Sequence, residues 1–502
     1  MVVCFTVFLM FQYTSQDIEH LDTLQTDNTL PRLQPFKTEA SQVSVMDSCM
    51  EIKLDNNNKA DIQISSLVEE LDFHLDHGGH NQTSFPDLQP LPNSQNLRVF
   101  LIPHSHCDPG WLETYTKYYE NKVRYILSWL YIFAMEHSDF KFIYAEVSFF
   151  KLWWEEQDVD VKLDMRRLAQ EGRFEFVQGG WVQNDEANTH YFAIFNQMLD
   201  GHDWLKKNIP EAMPKSGWAI DPFGLSPTMG YVNKLFGLTG MHIQRVHYAV
   251  KNHLAQTKNL DFRWRQSWDS EGVTDMLTHL GPFVSYGQQH SCGPDPDVCC
   301  MFNFMDMRNG GFRECFKSGS LLVPTTEENV VERSLKILEQ WRLKAALHST
   351  NAVFIELGND FTYSLKEDAH LMYDNYKPIM NYINSQPDLN SKVSWGVLSE
   401  YFEHVREHGT QKLAALSGDF FTYSDRQADY WSGYYTSRPF YKNLDRVLES
   451  ALRRTEILFS FYRSDLRKGA FVMARNTLSL FQHHDGITGT AKTHVVNDYG
   501  AR

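Results

Sequence analysis

The pattern of apolar and polar positions changes texture twice along the chain. Residues 14 to about 95 are rich in Asp, Asn, Gln, Ser and Pro and sustain no apolar period, apart from one helix expected around Ile64–Leu71. Such a stretch reads as an irregular leader or stalk. From Leu97 the texture turns compact: Leu97-Arg-Val-Phe-Leu-Ile-Pro103 is an apolar run of strand length, and an amphipathic helical stretch follows from about Tyr115 to Glu136. Further strand-like runs come at Phe140–Val147, Phe174–Val177, Ser216–Ile220, Gly240–Gln244 and Ala352–Leu357, with helical stretches between them. This alternation predicts an α/β fold with a parallel sheet covered by helices. After about residue 411 the pattern lengthens into helices at Tyr441–Tyr462 and Lys468 to about Phe481, the start of a helical bundle. The chain thus divides into a leader (1–95), an α/β domain (96–410) and a helical segment (411–502). No repeat of solenoid type is visible.

In parallel-sheet folds, ligands bind where strands end at their carboxyl side. That rule selects His104, His106, Asp108, Asp221 and Asp360, each just after an apolar run. In Pro103-His-Ser-His-Cys-Asp-Pro-Gly-Trp111, an extended backbone points His104, His106 and Asp108 to one side. An imidazole and a carboxylate two residues apart make half of a metal site. The bland alternative is a surface loop with incidental histidines. A second half-site would be His483-His484-Asp485, on or near the last helix, followed by the small-residue turn Gly486-Ile-Thr-Gly-Thr490. Asp221, in Trp218-Ala-Ile-Asp-Pro-Phe-Gly-Leu-Ser226, sits between a strand and a Pro-constrained turn, as a rigidly held nucleophile should. It could equally cap the next helix. Asp360, in Asn359-Asp-Phe361, offers a second carboxylate of the kind a glycosidase pair requires.

Composition narrows the class. A formal net charge of -16 excludes nucleic acid and an anionic membrane surface as partners. An aromatic content of 14% provides apolar platforms on which sugar rings bind well, although most of these rings belong to the core. Four of the seven cysteines cluster at Cys292, Cys299, Cys300 and Cys315. Two short disulfides, Cys292–Cys299 and Cys300–Cys315, would staple this loop in an oxidising compartment. A zinc knuckle is the alternative, but its usual spacing is absent. The Asn81-Gln82-Thr83 sequon fits lumenal glycosylation. The apolar run Val2–Phe11 is too short to span a bilayer, has no basic flank, and reads as the tail of a signal anchor or an alternative start.

Seven stretches together resemble the glycoside hydrolase family 38 α-mannosidases, most closely the Golgi α-mannosidase II/III type. They are PHSHCDPGW, GGWVQNDEA (Gly179–Ala187), WAIDPFG (Trp218–Gly224), CGPDPDVCC, SGDFFTYSDR (Ser417–Arg426), YWSGYYTSRP (Tyr430–Pro439) and QHHDGITGTAK (Gln482–Lys492). They occur in family order from about residue 95 to 502. The resemblance implies a seven-stranded (β/α) barrel-like catalytic domain and a zinc-dependent, retaining exo-α-mannosidase that trims N-glycans in the Golgi lumen. His106, Asp108, Asp221 and His484 would bind Zn2+, a ligand set that would also accept Co2+. Asp221 would double as the nucleophile and Asp360 as the general acid/base. Trp111, Arg245, Tyr286 and Asp485 would line the mannose subsite. The longer parent would be a type II membrane protein, whose anchor looks incomplete here.

The sequence also departs from the family. In Golgi mannosidase II, a distant N-acetylglucosamine is held by an anchor pocket. The positions of its Tyr, two Asp, Arg and Trp are here Val284, Gly287, Asn359, Thr362 and Phe316. The Gly-His-Ser usual after the nucleophile is Gly224-Leu225-Ser226. The resemblance implies that C-terminal β domains, a loop that completes the active site and the partner of Cys49 would follow residue 502. The rival readings are a lysosomal-type or secreted enzyme of broad specificity and an inactive mannose-binding fragment.

Overall fold

The run that opens the α/β texture is a strand buried on both faces. In the computed structural model, which describes residues 59–71, 85, 87–309, 322–409, 413–462 and 469–502, eleven strands are seen. They are β1 (Ile62–Gln63), β2 (Leu97–Pro103), β3 (Phe142–Tyr144), β4 (Phe174–Phe176), β5 (Ser216–Ala219), β6 (Gly240–Ile243), β7 (Asp261–Arg265), β8 (Met276–Leu280), β9 (Ala352–Leu357), β10 (Ser391–Trp395) and β11 (Ala415–Ser417). Along β2, Leu97, Val99 and Leu101 join one apolar cluster while Phe100 and Ile102 join another. Two-faced burial is what a parallel strand between helices and a second layer requires. Burying each of these side chains contributes about 1.5–3 kcal/mol.

The expected single seven-stranded barrel is corrected by the sheet topology. The strands pair in three sheets, ordered β1-β11-β7-β8-β6-β5, β10-β2-β9 and β3-β4, all parallel except β7 with β8. Among the described residues no ring of ladder hydrogen bonds closes. One break lies after β4, where Gln178 and Gly179 both adopt positive φ (60° and 72°), which ends an extended strand. A side chain at Gly179 would meet Pro214 at 2.2 Å. From backbone to backbone, the Gln178 N–H to Ser216 C=O bond, 2.7 Å, reaches across to β5. The inner faces still share one core: Phe100, Ile143, Val177, Trp218, Leu277 and Phe354 pack together.

Phe140–Val147 is strand only over Phe142–Tyr144 and is helical from Val147. The helices Ile64–Glu70, Pro439–Tyr462 and Ala470–Phe481 fall where the pattern put them, and Ala470–Phe481 packs on Tyr191–Asn208. A final helix, Thr493–Ala501, was not foreseen. No helix among the described residues is long and apolar enough to cross a membrane. Val2–Phe11, Cys49, Asn81–Thr83, Cys315 and Phe316 lie outside the described residues. The Cys292–Cys299 disulfide is present, and Cys300 is also disulfide-bonded.

Candidate active site

The two half-sites meet. Past Pro103, which ends β2, the His106 N–H donates to the Asn359 C=O (3.2 Å) and its C=O accepts from the Phe361 N–H (2.8 Å). This bridge carries the β2–β9 pairing one step beyond the strands and sets His106 beside Asp360. Gly358 permits the approach, since a Cβ there would lie 1.9 Å from the His104 carbonyl oxygen. Asp221 follows β5 and precedes Pro222, which restricts its backbone to extended conformations. His484 comes from the turn after Ala470–Phe481. That turn is docked by antiparallel pairing of Asn184 with His483 and by the Asp185 N–H to Gln482 C=O bond, 2.9 Å.

His106, Asp108, Asp221 and His484 are all buried, each with a ligand atom within 4.8 Å of the others'. His106 Nε2 lies 2.8 Å from Asp108 Oδ1 and 3.4 Å from Asp221 Oδ2. His484 Nε2 lies 3.3 and 3.1 Å from the same two oxygens. A tetrahedral ion with bonds of about 2.0–2.1 Å separates its ligand atoms by about 3.3 Å. His484 Nδ1 donates to the Gln183 C=O at 2.8 Å, which leaves Nε2 bare for an ion. His106 Nε2 and Asp108 Oδ1 are buried without a well-aligned hydrogen bond despite their closeness, so both point at a shared centre. Burial opposes charge on all four groups, but mutual attraction wins. The carboxylates hold His106 well above its ordinary range and raise His484 to about 10, while His106, His484 and Arg245 hold Asp221 well below the carboxylate range. A field that gathers protons here would gather a divalent cation equally, so the residues fit a metal ion.

A second grouping, Asp108 with His483, His484 and Asp485, shares the same wall. His483 Nε2 lies 3.2 Å from Asp485 Oδ2, and Thr490 Oγ1 donates to Asp485 Oδ1 at 2.6 Å. A third, Asp261 with His279 and His348, joins the start of β7 to the end of β8. Its two 2.7 Å contacts are those of imidazoles donating to one carboxylate.

Of the remaining expected residues, Arg245 contacts Asp221 and the Tyr286 ring lies beside His106. Arg245 donates through Nε to Asp221 Oδ1 at 2.5 Å and lies over the rings of Phe223, Tyr423 and Trp431. Tyr286 donates its hydroxyl to Asp360 Oδ1 at 2.7 Å. Burial pushes the Asp360 carboxyl up to about 6, helped by Asp108 and Asp221 and opposed by His106 and the Tyr286 bond. Trp111 is half-buried. Its carbonyl accepts from the Lys492 N–H (3.0 Å), and the preceding turn is held by the Tyr499 hydroxyl on the Pro109 carbonyl. His104 sits behind the site, edge-on to Trp218, with both ring nitrogens unpartnered.

Comparison with known proteins decides the family. Residues 96–426 match the N-terminal domain of glycosyl hydrolases family 38, and residues 429–502 match the alpha mannosidase middle domain. The chain belongs to glycosyl hydrolase family 38. This family 38 chain is 43% identical over 466 residues to Alpha-mannosidase 2x of Mus musculus, covering 88% of the chain and 40% of that relative. It is 45% identical over 434 residues to Alpha-mannosidase 2 of Arabidopsis thaliana (81% and 37%) and 42% identical over 478 to Alpha-mannosidase 2 of Homo sapiens (90% and 41%). It thus spans about two fifths of the relatives it matches. An alpha-mannosidase structure from Enterococcus faecalis shares the fold, with a TM-score of 0.57 at 15% identity over 81% of the chain and 40% of that structure.

Sequence reasoning passed over Gln183 in this family 38 chain. Its side-chain oxygen accepts from the N–H groups of Ile220 (3.0 Å) and Asp221 (3.1 Å). Glu146 was missed as well: it is buried near His106, and burial pushes its carboxyl up to about 7. Gln183 lies neither at the end of an apolar run nor in a pair of chemistry-bearing residues, whereas Glu146 stands two residues past β3, at the end of the run Phe140–Val147, where the strand-end rule could have found it. The one available signal for Gln183 was its place inside GGWVQNDEA.

Proposed function

We propose that this protein holds the catalytic part of a metal-dependent, retaining exo-α-mannosidase that trims N-glycans in the Golgi lumen. The observation that carries the reading is the convergence of His106, Asp108, Asp221 and His484, with Asp360 beside His106 on the neighbouring strand end. Two imidazoles and two carboxylates suit Zn2+ and would accept Co2+. Bound there, the ion would hold vicinal hydroxyls of the sugar and favour ring distortion toward an oxocarbenium-like shape.

The protein's own residues supply the rest. Arg245 keeps Asp221 ionised, so its carboxylate attacks the anomeric carbon as the glycosidic C–O bond breaks. Asp360, whose carboxyl burial raises to about 6, gives its proton to the departing oxygen. The mannosyl ester on Asp221 is then hydrolysed by a water whose proton returns to Asp360, which restores both groups with net retention. Trp111 would stack on the mannose, and Asp485 and Tyr286 would line its subsite. The Cys292–Cys299 disulfide fits an oxidising lumen, with the longer parent held as a type II membrane protein.

We further propose that turnover does not depend on a distant N-acetylglucosamine. Positions that would grip that sugar are spent on the local loop: Thr362 Oγ1 binds the His104 and Asn359 carbonyls, and Asn359 Oδ1 accepts from the Asp360 N–H. Several hydrogen bonds of about 0.5–1.5 kcal/mol each are then lost to the remote sugar. The test is kcat/KM for one mannose-rich glycan with and without its N-acetylglucosamine. Similar values are expected, and a strong preference for the N-acetylglucosamine form refutes this specificity. A chromogenic α-mannoside tests the activity itself: binding without turnover leaves a mannose-binding fragment.

A further inference from the structure

Strand β5 is the edge of its sheet, and the N–H groups along an edge must still find acceptors. Two glutamine side chains stand in for the neighbouring strand that is not there. Gln178 Oε1 accepts from the Trp218 N–H at 3.0 Å, in the middle of β5. Gln183 Oε1 accepts from both Ile220 and Asp221 at the strand's end. The two caps are alike except for where they act: Trp218 is core, whereas Asp221 belongs to the metal-fitting cluster.

The backbone carbonyl of Gln178 meets the His202 ring at 3.0 Å, outside the metal-fitting cluster, whereas Gln183 reaches a histidine within it. The Gln183 backbone carbonyl oxygen accepts from His484 Nδ1 at 2.8 Å, and the next two residues carry the pairing that docks the 482–484 turn. A single residue, 3% exposed, therefore grips the Asp221 backbone with its side chain and the His484 ring with its own backbone. These two groups are 263 positions apart in sequence yet lie 3.1 Å apart in space.

We propose that Gln183 is a positioning residue whose carboxamide fixes the Asp221 carboxylate against the His484 imidazole. It thereby sets both metal affinity and the approach of Asp221 to substrate. The inference rests on the reading of Asp221 and His484 as metal ligands. A side chain one methylene shorter cannot span the gap, so Gln183→Asn leaves two buried N–H groups without their acceptor. The backbone bond to His484 is untouched by this change. Gln178→Asn is the matched control: it removes the equivalent cap on Trp218, and asparagine tolerates the positive φ there.

The test measures zinc affinity of the full-length protein by competition with a chromophoric chelator, with thermal melting and aryl α-mannoside kinetics on the same samples. Gln183→Asn should weaken zinc about 10–100-fold, the range for partners that orient metal ligands. It should lower kcat while KM stays within about twofold. Gln178→Asn should lower the melting temperature comparably and leave zinc affinity unchanged. Gln183→Met, which fills the space without an acceptor, gives the same reading should the shorter variant not fold. Wild-type zinc affinity in the Gln183 variants overturns the proposal, and so does equal weakening in both asparagine variants, which would mark a general loosening of β5. A wild-type protein that binds zinc without cleaving mannosides sinks the function proposed above and leaves this comparison intact. A protein that binds no zinc overturns both.

Discussion

Asp221→Asn keeps the shape of the side chain and removes a charge that three groups share. Oδ1 accepts from Arg245, while Oδ2 lies 3.1 Å from His484 and 3.4 Å from His106. The two imidazoles can answer the loss by releasing protons, but a guanidinium cannot. The penalty therefore falls on Arg245, whose side chain is 21% exposed against 11% for Asp221. Its remaining polar partner at the site is the Tyr423 hydroxyl, 3.2 Å away. Breaking a buried ion pair from one side costs about 3–5 kcal/mol, and the partial exposure of Arg245 puts this case near 3 kcal/mol. The assay is urea unfolding of EDTA-treated protein, where no bound metal contributes to stability. Turnover of an activated aryl mannoside and zinc retained after dialysis are measured on the untreated variant. Turnover should be abolished and retained zinc reduced. A loss of stability below about 1 kcal/mol refutes the charge argument. Full turnover removes Asp221 from the chemistry, and wild-type zinc content removes it from the ligand set.

Asp360→Asn should slow substrates with poor leaving groups far more than activated aryl mannosides, because only the former need a proton; equal losses on both would exclude it as the acid. Burial pushes the Glu175 carboxyl from 4.5 up to about 7. The folded state thus keeps a proton that the unfolded state loses, and its stability falls by about 3 kcal/mol as pH rises from about 4.5 through about 7. Glu175→Gln should match wild type in urea midpoint near pH 4.5 and exceed it near pH 8, and parallel pH profiles would contradict this. Replacing both Cys292 and Cys299 by serine opens a loop with a sequence separation of 7 and should cost about 2.5 kcal/mol by the loop-entropy relation; an unchanged urea midpoint would show that the bridge does not constrain the unfolded state.

What the sequence disclosed follows from how its strands are built. β2, β5, β6 and β9 are mostly apolar, with Arg98, His242 and Glu356 as single interruptions, and the polar residues His106, Asp221 and Asp360 that follow were readable as strand ends. β7 reads Asp-Phe-Arg-Trp-Arg, and its buried charges hid it. Asp261 is matched by His279 and His348, and Arg265 by Asp275 at 2.7 Å, partners that no local pattern reveals. β8 carries His279 for the same reason, while β10 and β11 are short or half-polar. The break between β4 and β5 turns on two positive-φ residues, only one of them glycine. The residues of the buried cluster could be named from the sequence, but their meeting depends on backbone pairing between the segments at 184–185 and 482–483. Backbone pairing leaves no side-chain signature.

The composition of the site carries one more constraint. Asp108, Asp221 and Asp485 bring three formal negative charges to one buried wall, and Arg245 brings one positive, so with neutral imidazoles the balance is −2. An uncompensated charge of that size cannot be kept out of water. Two protons on the histidines would cancel it, and so would one divalent cation. Protons would need the imidazoles to remain donors, yet His106 Nε2 and Asp108 Oδ1 lie 2.8 Å apart without a well-aligned hydrogen bond. A cation at the shared point satisfies the charge and the aim of the four ligand atoms together. Asp360, paired with His106 outside the four-residue cluster and raised by burial, is left to carry a proton. The electrostatics of the metal-fitting cluster thus set the two carboxyls apart, with Asp221 held low and Asp360 raised.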